Sequence, residues 1–253
     1  MKAIILAAGK GSRLGKLTTE LPKGMIKLDG ESLLSRQINL FKSINIEEII
    51  IVRGYKKNKI VFDDVTYIDN YNFENTNMIE SLFCARSLFS NEIIMSYSDI
   101  LFSQNDLINL KNNNNNICVS VDPNWKTYWI KRYGNLNTDI ENLEISKNAI
   151  TRIGTEISNS DNIEYRYIGL NKFNSKGLRS LCEIYDYKKN KQTKWQASEN
   201  DFYNGYMTDI FQEMINHKIK LSAHYFTNPW LEIDSEKDLK VAEEMLKNGS
   251  FKL

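Results

Sequence analysis

Ten residues near the start of the chain, LAAGKGSRLG (6–15), hold Gly9, Gly11 and Gly15 together with Lys10, Ser12 and Arg13, in a protein with only 12 glycines among 253 residues. A glycine-rich loop straight after an apolar run exposes backbone N–H groups that no side chain hides, and such loops wrap anions. Arg13, and Lys23 a little further on, add positive charge, and phosphate is the anion these groups suit. A glycine-rich turn without a ligand is the plain alternative; the basic residues weigh against it. A Walker A loop is excluded, because Gly9 and Gly15 enclose five residues and Leu17 follows Lys16. The dinucleotide fingerprint is excluded too, because Leu14 stands where its third small residue belongs.

Two carboxylates are suited to a cation beside such a loop. Asp99 ends the apolar run EIIMSYSD, and the carboxyl ends of strands are where open α/β sheets bind ligands. Asp234 lies in WLEIDSEKDL. It precedes a helical pattern and could serve as an N-cap, but Ser235, with Asp238 three residues on, can fill that role as a capping box. Mg²⁺ takes one or two carboxylates and completes its shell with phosphates and water. Asp99 and Asp234 are therefore the expected metal ligands, and only the fold can unite them. Asn75, Asn77 and Ser81, in NTNMIESLF, carry amides and a hydroxyl able to read a pyrimidine edge, Asn77 and Ser81 sharing a helical face; helix capping by Asn75 or Thr76 is the alternative, and both can hold. His217 and His224 lack metal-ligand spacing and are read as packing or surface histidines.

The elements that must position these groups follow from periodicity. KAIILAA (2–8), EEIIIVRG (47–54), VTYID (65–69), EIIMSYSDILF (92–102) and ICVSVD (117–122) read as strands, with helices at 32–43 and 76–89 between them. Alternating strands and helices indicate α/β architecture with a mainly parallel sheet. The asparagine tract 112–116 reads as a solvated loop. Residues 124–165 turn polar and aromatic, with strand candidates at 148–154 and 164–170, and read as an antiparallel insertion or flap on the acceptor side of a single 1–253 domain. Helices at 175–189 and 203–217, a strand at 219–226 and a helix at 235–247 complete the pattern.

Composition sets the bounds. Hydrophobic residues make up 42% and the formal net charge is +1, so a packed core is expected and no basic face for nucleic acid is indicated. Three widely spaced cysteines and no C-x-x-C argue against a disulfide framework and a zinc site. The short N-terminal apolar run fits neither a membrane span nor a signal peptide, so a cytoplasmic protein is expected.

LAAGKGSRL followed by LPKGMIKLDG is similar to the N-terminal signature of the nucleotidyltransferases that join an NTP to a phosphorylated small molecule, a family of the sugar-nucleotide pyrophosphorylase kind. VRGYKKNKI, NTNMIESLF, SYSDILF, YIGLNKF, YMTDIFQEMI and WLEIDSEKDL extend the resemblance over most of the chain, towards the cytidylyltransferases of the phosphocholine, phosphonate and phosphoglutamine type. Lys16 stands where many sugar-nucleotide members have proline, which weakens a hexose-1-phosphate assignment. The resemblance implies a Rossmann-like mixed sheet of the nucleotide-diphospho-sugar transferase type. It implies Mg²⁺ as cofactor, CTP as donor and Lys23 on the α-phosphate. It places the backbone of Leu6, Ala7 and Ala8 beneath the base, with Gly9, Gly11, Ser12 and Ser98 also on the nucleotide, and it predicts that Asp99 and Asp234 meet. The forked guanidinium of Arg13 suits the β- and γ-phosphates.

The acceptor is less legible. NWKTYWIKRY (124–133) offers Trp125, Tyr128, Trp129 and Tyr133 as a cage for an ammonium, with Lys131 and Arg132 for a phosphate; a flap hairpin whose rings pack on the core is the alternative. Lys27, Trp195, Tyr206, Asp209 and Glu232 are further candidates. Phosphocholine, aminoethylphosphonate and phosphoglutamine all fit, and surface-polysaccharide decoration is a plausible setting. Three other readings stand beside this one: a sugar-1-phosphate nucleotidyltransferase using UTP, TTP or GTP, a non-catalytic nucleotide sensor, and a molybdopterin-type nucleotide-transfer protein. A homodimer is compatible with the chain.

Overall fold

The structure, a computed structural model, describes residues 1–89 and 91–252. Strand β1 (Lys2–Ala7) leads into 3-10 turns at Ser12–Thr18 and Lys23–Met25, then a small hairpin of β2 (Lys27–Leu28) and β3 (Glu31–Ser32). Helix α1 (Leu33–Ser43) follows, capped by Ser32, whose side chain accepts from Ser35 N. Next come β4 (Glu48–Arg53), β5 (Thr66–Asp69), α2 (Met78–Cys84), β6 (Glu92–Tyr97) and β7 (Ile100–Leu101). The second half runs α3 (Gln104–Lys111), β8 (Ile117–Asp122), α4 (Trp125–Tyr133), β9 (Glu141–Ser146), β10 (Ala149–Glu156) and β11 (Arg166–Asn174). It ends with α5 (Ser175–Lys191), α6 (Met207–Asn216), β12 (Ser222–Tyr225), β13 (Leu231–Glu232) and α7 (Glu236–Lys247).

Nine strands form one mixed sheet in the order β5-β4-β1-β6-β11-β8-β12-β10-β9. The β5-β4-β1-β6 block is parallel, β11 runs against both β6 and β8, β12 is parallel to β8, and β10 and β9 add an antiparallel edge. β1 reads as a continuous apolar run because both faces are covered. Ala3, Ile5 and Ala7 face a core shared with α1, α3, α4 and α7, whereas Ile4 and Leu6 face a second core shared with α2, α5 and α6.

The structure departs from the sequence reading in three places. Residues 125–133 are helix α4, not a flap hairpin. The aromatics at 125, 128 and 129 recur at helical spacing and are buried at 0, 7 and 0% exposure; they are the core face of an amphipathic helix. The strand beginning at Arg166 lies in the middle of the main sheet, between β6 and β8, and is not part of a peripheral insertion. Residues 104–111, unassigned from sequence, form α3, capped by Ser103. Its neighbours explain the cap: the buried carboxylate of Asp106 accepts hydrogen bonds from Thr227 N and Asn228 N, tying α3 to the strand-exit loop beyond β12.

Candidate active site

Asp99 and Asp234 are separated by most of the chain, and a two-stranded clip brings them together. β7 and β13 pair antiparallel, Ile100 opposite Glu232 and Leu101 opposite Leu231. Ile233 N donates to the Asp99 carbonyl (3.0 Å), so Asp99, one residue before β7, and Asp234, two residues after β13, lie at the same end of the clip and both reach the Lys23 ammonium. Buried Gln37, on α1, holds the turn that presents Asp99: its Nε2 donates to Tyr97 O (2.8 Å) and Ile100 O (2.6 Å), and its Oε1 accepts from Ser96 Oγ (3.0 Å).

The Lys23 ammonium stands between the two carboxylates and donates to Asp99 Oδ2 and Asp234 Oδ1. Pro22 in extended conformation aims the chain into the 3-10 turn that carries Lys23. The Lys23 stem passes against Gly11, where a Cβ would stand 2.8 Å from Lys23 Cβ and where φ is +71°. Only glycine satisfies both the left-handed backbone and this approach. Thr18 Oγ1 donates to Gly11 O (2.9 Å) and pins the loop. The N–H groups of Gly9, Lys10 and Gly11 have no acceptor among the described residues, which leaves them free for an anion.

Electrostatics follow from this packing. Burial works against the charge of Lys23, but Asp99 and Asp234 outweigh it and raise its pKa, so the ammonium stays protonated. Burial also opposes the charge on Asp234, yet Lys23 and Arg13 hold its carboxyl below the usual range. Arg13 Nη2 lies 2.8 Å from Asp234 Oδ1. Glu232, next to the clip, is pushed up to about 7 by burial and by the nearby carboxylates of Asp234 and Asp99, although Arg132 pulls the other way.

Two clefts share Met78 and Tyr97 in their walls and flank the ion-paired triad, Lys23 and Asp99 lining one and Asp234 the other. The smaller, about 190 Å³, is lined by Leu6, Ala8, Gly9, Gly11, Lys23, Asn77, Ser81, Ser98 and Asp99, among others. The larger, about 870 Å³, is bordered by Ser12, Arg13, Glu141, Arg166, Tyr206, Thr208, Glu232 and Asp234, among others. Ala7 alternates away from the small cleft and its side chain enters the core. Asn77 caps α2, its Oδ1 accepting from Met78 N (2.9 Å), and Ser81 Oγ accepts from Asn70 Nδ2 (3.1 Å). Ser12 and Arg13, expected on the nucleotide, border the larger cleft.

The acceptor expectations need correction. Trp129 is buried with its Nε1 donating to Thr138 O (2.8 Å), and Tyr128 OH is spent on the Glu232 backbone. Arg132 is wholly buried: it binds Glu232, Asp238 (Nε to Oδ1, 2.9 Å) and Asp234 Oδ2 (Nη2, 3.1 Å). Its guanidinium is thus a clamp on the back of the site, and the rings of Tyr128, Trp129 and Tyr133 lie around it rather than around a ligand. Asp209 is buried, closes the capping box of α6 and accepts from Ser198 Oγ (2.8 Å). Lys27 is exposed on the β2–β3 hairpin and Trp195 is a core residue. Tyr206 and Glu232 do border the larger cleft. Sequence reasoning missed Arg166, Glu141 and Thr208. The signal was an arginine placed directly before the buried run of Tyr167, Ile168 and Leu170, since a charge there needs a partner or a cavity.

An Mg²⁺ ion fits the donor set. Asp99 Oδ1 is buried with no hydrogen-bond partner among the described residues, and both carboxylates already converge on one cationic group. No cluster of three or more His, Cys, Asp or Glu able to hold a metal occurs among the described residues, so substrate oxygens would have to complete the shell.

Residues 3–123 match the family model of the MobA-like NTP transferase domain. The CTP:phosphoglutamine cytidylyltransferase of Campylobacter jejuni is 32% identical over 255 residues, covering 96% of this chain and 100% of the relative. The CTP:phosphocholine cytidylyltransferase of Streptococcus pneumoniae superposes with a TM-score of 0.74 at 21% identity, over 97% of this chain and 98% of that one. The inositol-1-phosphate CTP transferase from T. maritima gives 0.72 at 21%, over 97% and 96%. At those identities the two structures speak to the fold.

Proposed function

This chain belongs to the nucleotidyltransferase family that includes the CTP:phosphoglutamine cytidylyltransferase of Campylobacter jejuni, and we propose that it is a Mg²⁺-dependent cytidylyltransferase that joins CMP from CTP to a small phosphorylated acceptor, phosphoglutamine being the leading candidate. The observation that carries the reading is the ion-paired triad of Lys23, Asp99 and Asp234 at the junction flanked by the two clefts. One cleft begins at a loop with free amides and suits a nucleotide; the other is large enough for a second substrate.

The reaction forms a bond between an acceptor phosphate oxygen and the α-phosphorus of CTP and breaks the bond to the departing pyrophosphate. The nucleophile is already an anion, so no strong base is required; the barrier lies in aligning two polyanions and stabilising the shared charge. Lys23 binds the α-phosphate at the junction, and the amides of Gly9 to Gly11 hold the rest of the triphosphate. Arg13, on the acceptor side, neutralises the incoming phosphate. Asp99 and Asp234 would hold Mg²⁺, which supplies charge neutralisation on the phosphates when bound. Arg132 keeps Asp234 oriented, one oxygen on the clamp and the other towards the junction. Asn77 and Ser81 border the base end of the small cleft.

Pyrophosphate release measured with CTP, UTP, TTP and GTP, each with phosphoglutamine, phosphocholine, aminoethylphosphonate and hexose 1-phosphates, tests the proposal. Turnover restricted to CTP and abolished by chelation is expected. Equal use of the four NTPs, or a preference for a hexose 1-phosphate, would overturn it.

A further inference from the structure

Resting on the reading just given, we propose that Arg166 determines specificity by binding a carboxylate on the acceptor, and hence that the acceptor is a phosphorylated amino acid. Arg166 heads β11 in the centre of the sheet and borders the larger cleft. Its guanidinium is stacked 4.3 Å from the centre of the Trp129 ring, which fixes its plane. The side chain is 11% exposed, and its one ion-pair partner among the described residues is distant, Asp139 Oδ2 at 3.8 Å from Nη2. Nη1 is buried and has no hydrogen-bond partner among the described residues. A charged N–H enclosed without an acceptor is costly, and a planar fork held rigid at a cavity wall matches a carboxylate.

The surroundings complete the match. Glu141 and Thr208 border the same cleft as Arg166. Glu232, also in the cleft, has its charge engaged by the buried Arg132. A carboxylate receptor with a carboxylate next to it is complementary to an ammonium and an acid carried on one carbon. The phosphate of that acceptor belongs at the other end of the cleft, where Arg13 and Asp234 adjoin Lys23. The rings that could have caged a quaternary ammonium at 128 and 129 are packed against Arg132 and Arg166.

The test uses the full chain with CTP and three acceptors: phosphoglutamine, its analogue with hydrogen in place of the α-carboxylate, and its analogue with hydrogen in place of the α-amine. Removing the carboxylate should raise the wild-type acceptor KM about 10- to 100-fold, the range for a hydrogen bond to a charged group. Arg166→Ala should impose a similar rise with phosphoglutamine and little more on the analogue already lacking the carboxylate, with the CTP KM within about twofold of wild type. Arg166→Lys, which keeps the charge and loses the fork, should recover only part of the loss and serves if the alanine variant does not fold. Glu141→Gln should weaken phosphoglutamine and spare the analogue lacking the amine. An equal KM rise for acceptors with and without the carboxylate would mean that Arg166 binds the phosphate or is structural, and would overturn the inference. So would phosphocholine turned over as efficiently as phosphoglutamine. Either result leaves CTP-dependent turnover standing, whereas no pyrophosphate release with any acceptor removes the parent reading and this inference with it.

Discussion

Lys23, between Asp99 and Asp234, is a cation held where two like charges would otherwise repel. Lys23→Met should therefore lower kcat at least 10²-fold, the scale for losing one charge-stabilising donor at a reacting centre, while CTP still binds; stopped-flow or single-turnover kinetics with saturating CTP checks it. A second residue-scale prediction concerns His224, which is buried beside the Asp106 carbonyl. Burial lowers its pKa, with Asp106 opposing. A lowered folded pKa means the unfolded chain takes the proton first, so the stability His224 contributes is full above about pH 6.5 and is lost as pH falls through the folded value. Urea midpoints at pH 7.5 and 5.5 should fall more for wild type than for His224→Gln; parallel losses would contradict this. Lys23, Asp99 and Asp234 were legible because each sits in a motif at a strand or turn end. Arg132, Tyr128 and Trp129 were misread because a sequence cannot say whether a basic aromatic stretch faces water or the core. Only their helical spacing pointed to the core.

The elements matter through what they hold in register. The β7–β13 clip is two residues a side, too short to be seen in a pattern, yet it sets the distance between the aspartates. Gln37 braces it from α1. Gln37→Ala leaves two carbonyls and a serine hydroxyl without this partner in a buried place, a loss of about 1–3 kcal/mol. It should lower the denaturation midpoint and kcat together, because Asp99 loses its support; unchanged kcat would show that the turn is held by the sheet alone. Arg132→Met strips the pairing from Glu232, Asp234 and Asp238 at once. Removing one member of a buried ion cluster costs about 3–5 kcal/mol, and thermal melts should show it. The βαβ half of the chain was legible because apolar runs and helical spacing alternate there. The half after 124 was not, because β11 crosses back into the sheet from a distant point in the chain and no local signal announces that pairing.

At the scale of the whole molecule, one sheet places two clefts side by side at the carboxyl ends of its parallel strands. A ligand held by the small cleft binds the folded chain and not the unfolded one, so on the proposed reading CTP should stabilise the entire domain. At a hundredfold excess over its Kd the gain is about 2.7 kcal/mol, or a rise in Tm of roughly 5–10 °C for a chain of this size. Differential scanning fluorimetry with CTP and with ATP checks both the shift and its base preference.

The most direct measurement is pyrophosphate release from CTP and phosphoglutamine by wild type, Asp99→Asn and Asp234→Asn side by side, with circular dichroism confirming that each is folded. Steady turnover by wild type and a fall of about 10²–10³-fold in both variants is the expected result, the scale for losing a group that stabilises transition-state charge. Folded variants that retain rates within about tenfold of wild type would show that the two aspartates do not serve the chemistry, and would contradict the assignment of this junction as the site of phosphoryl transfer.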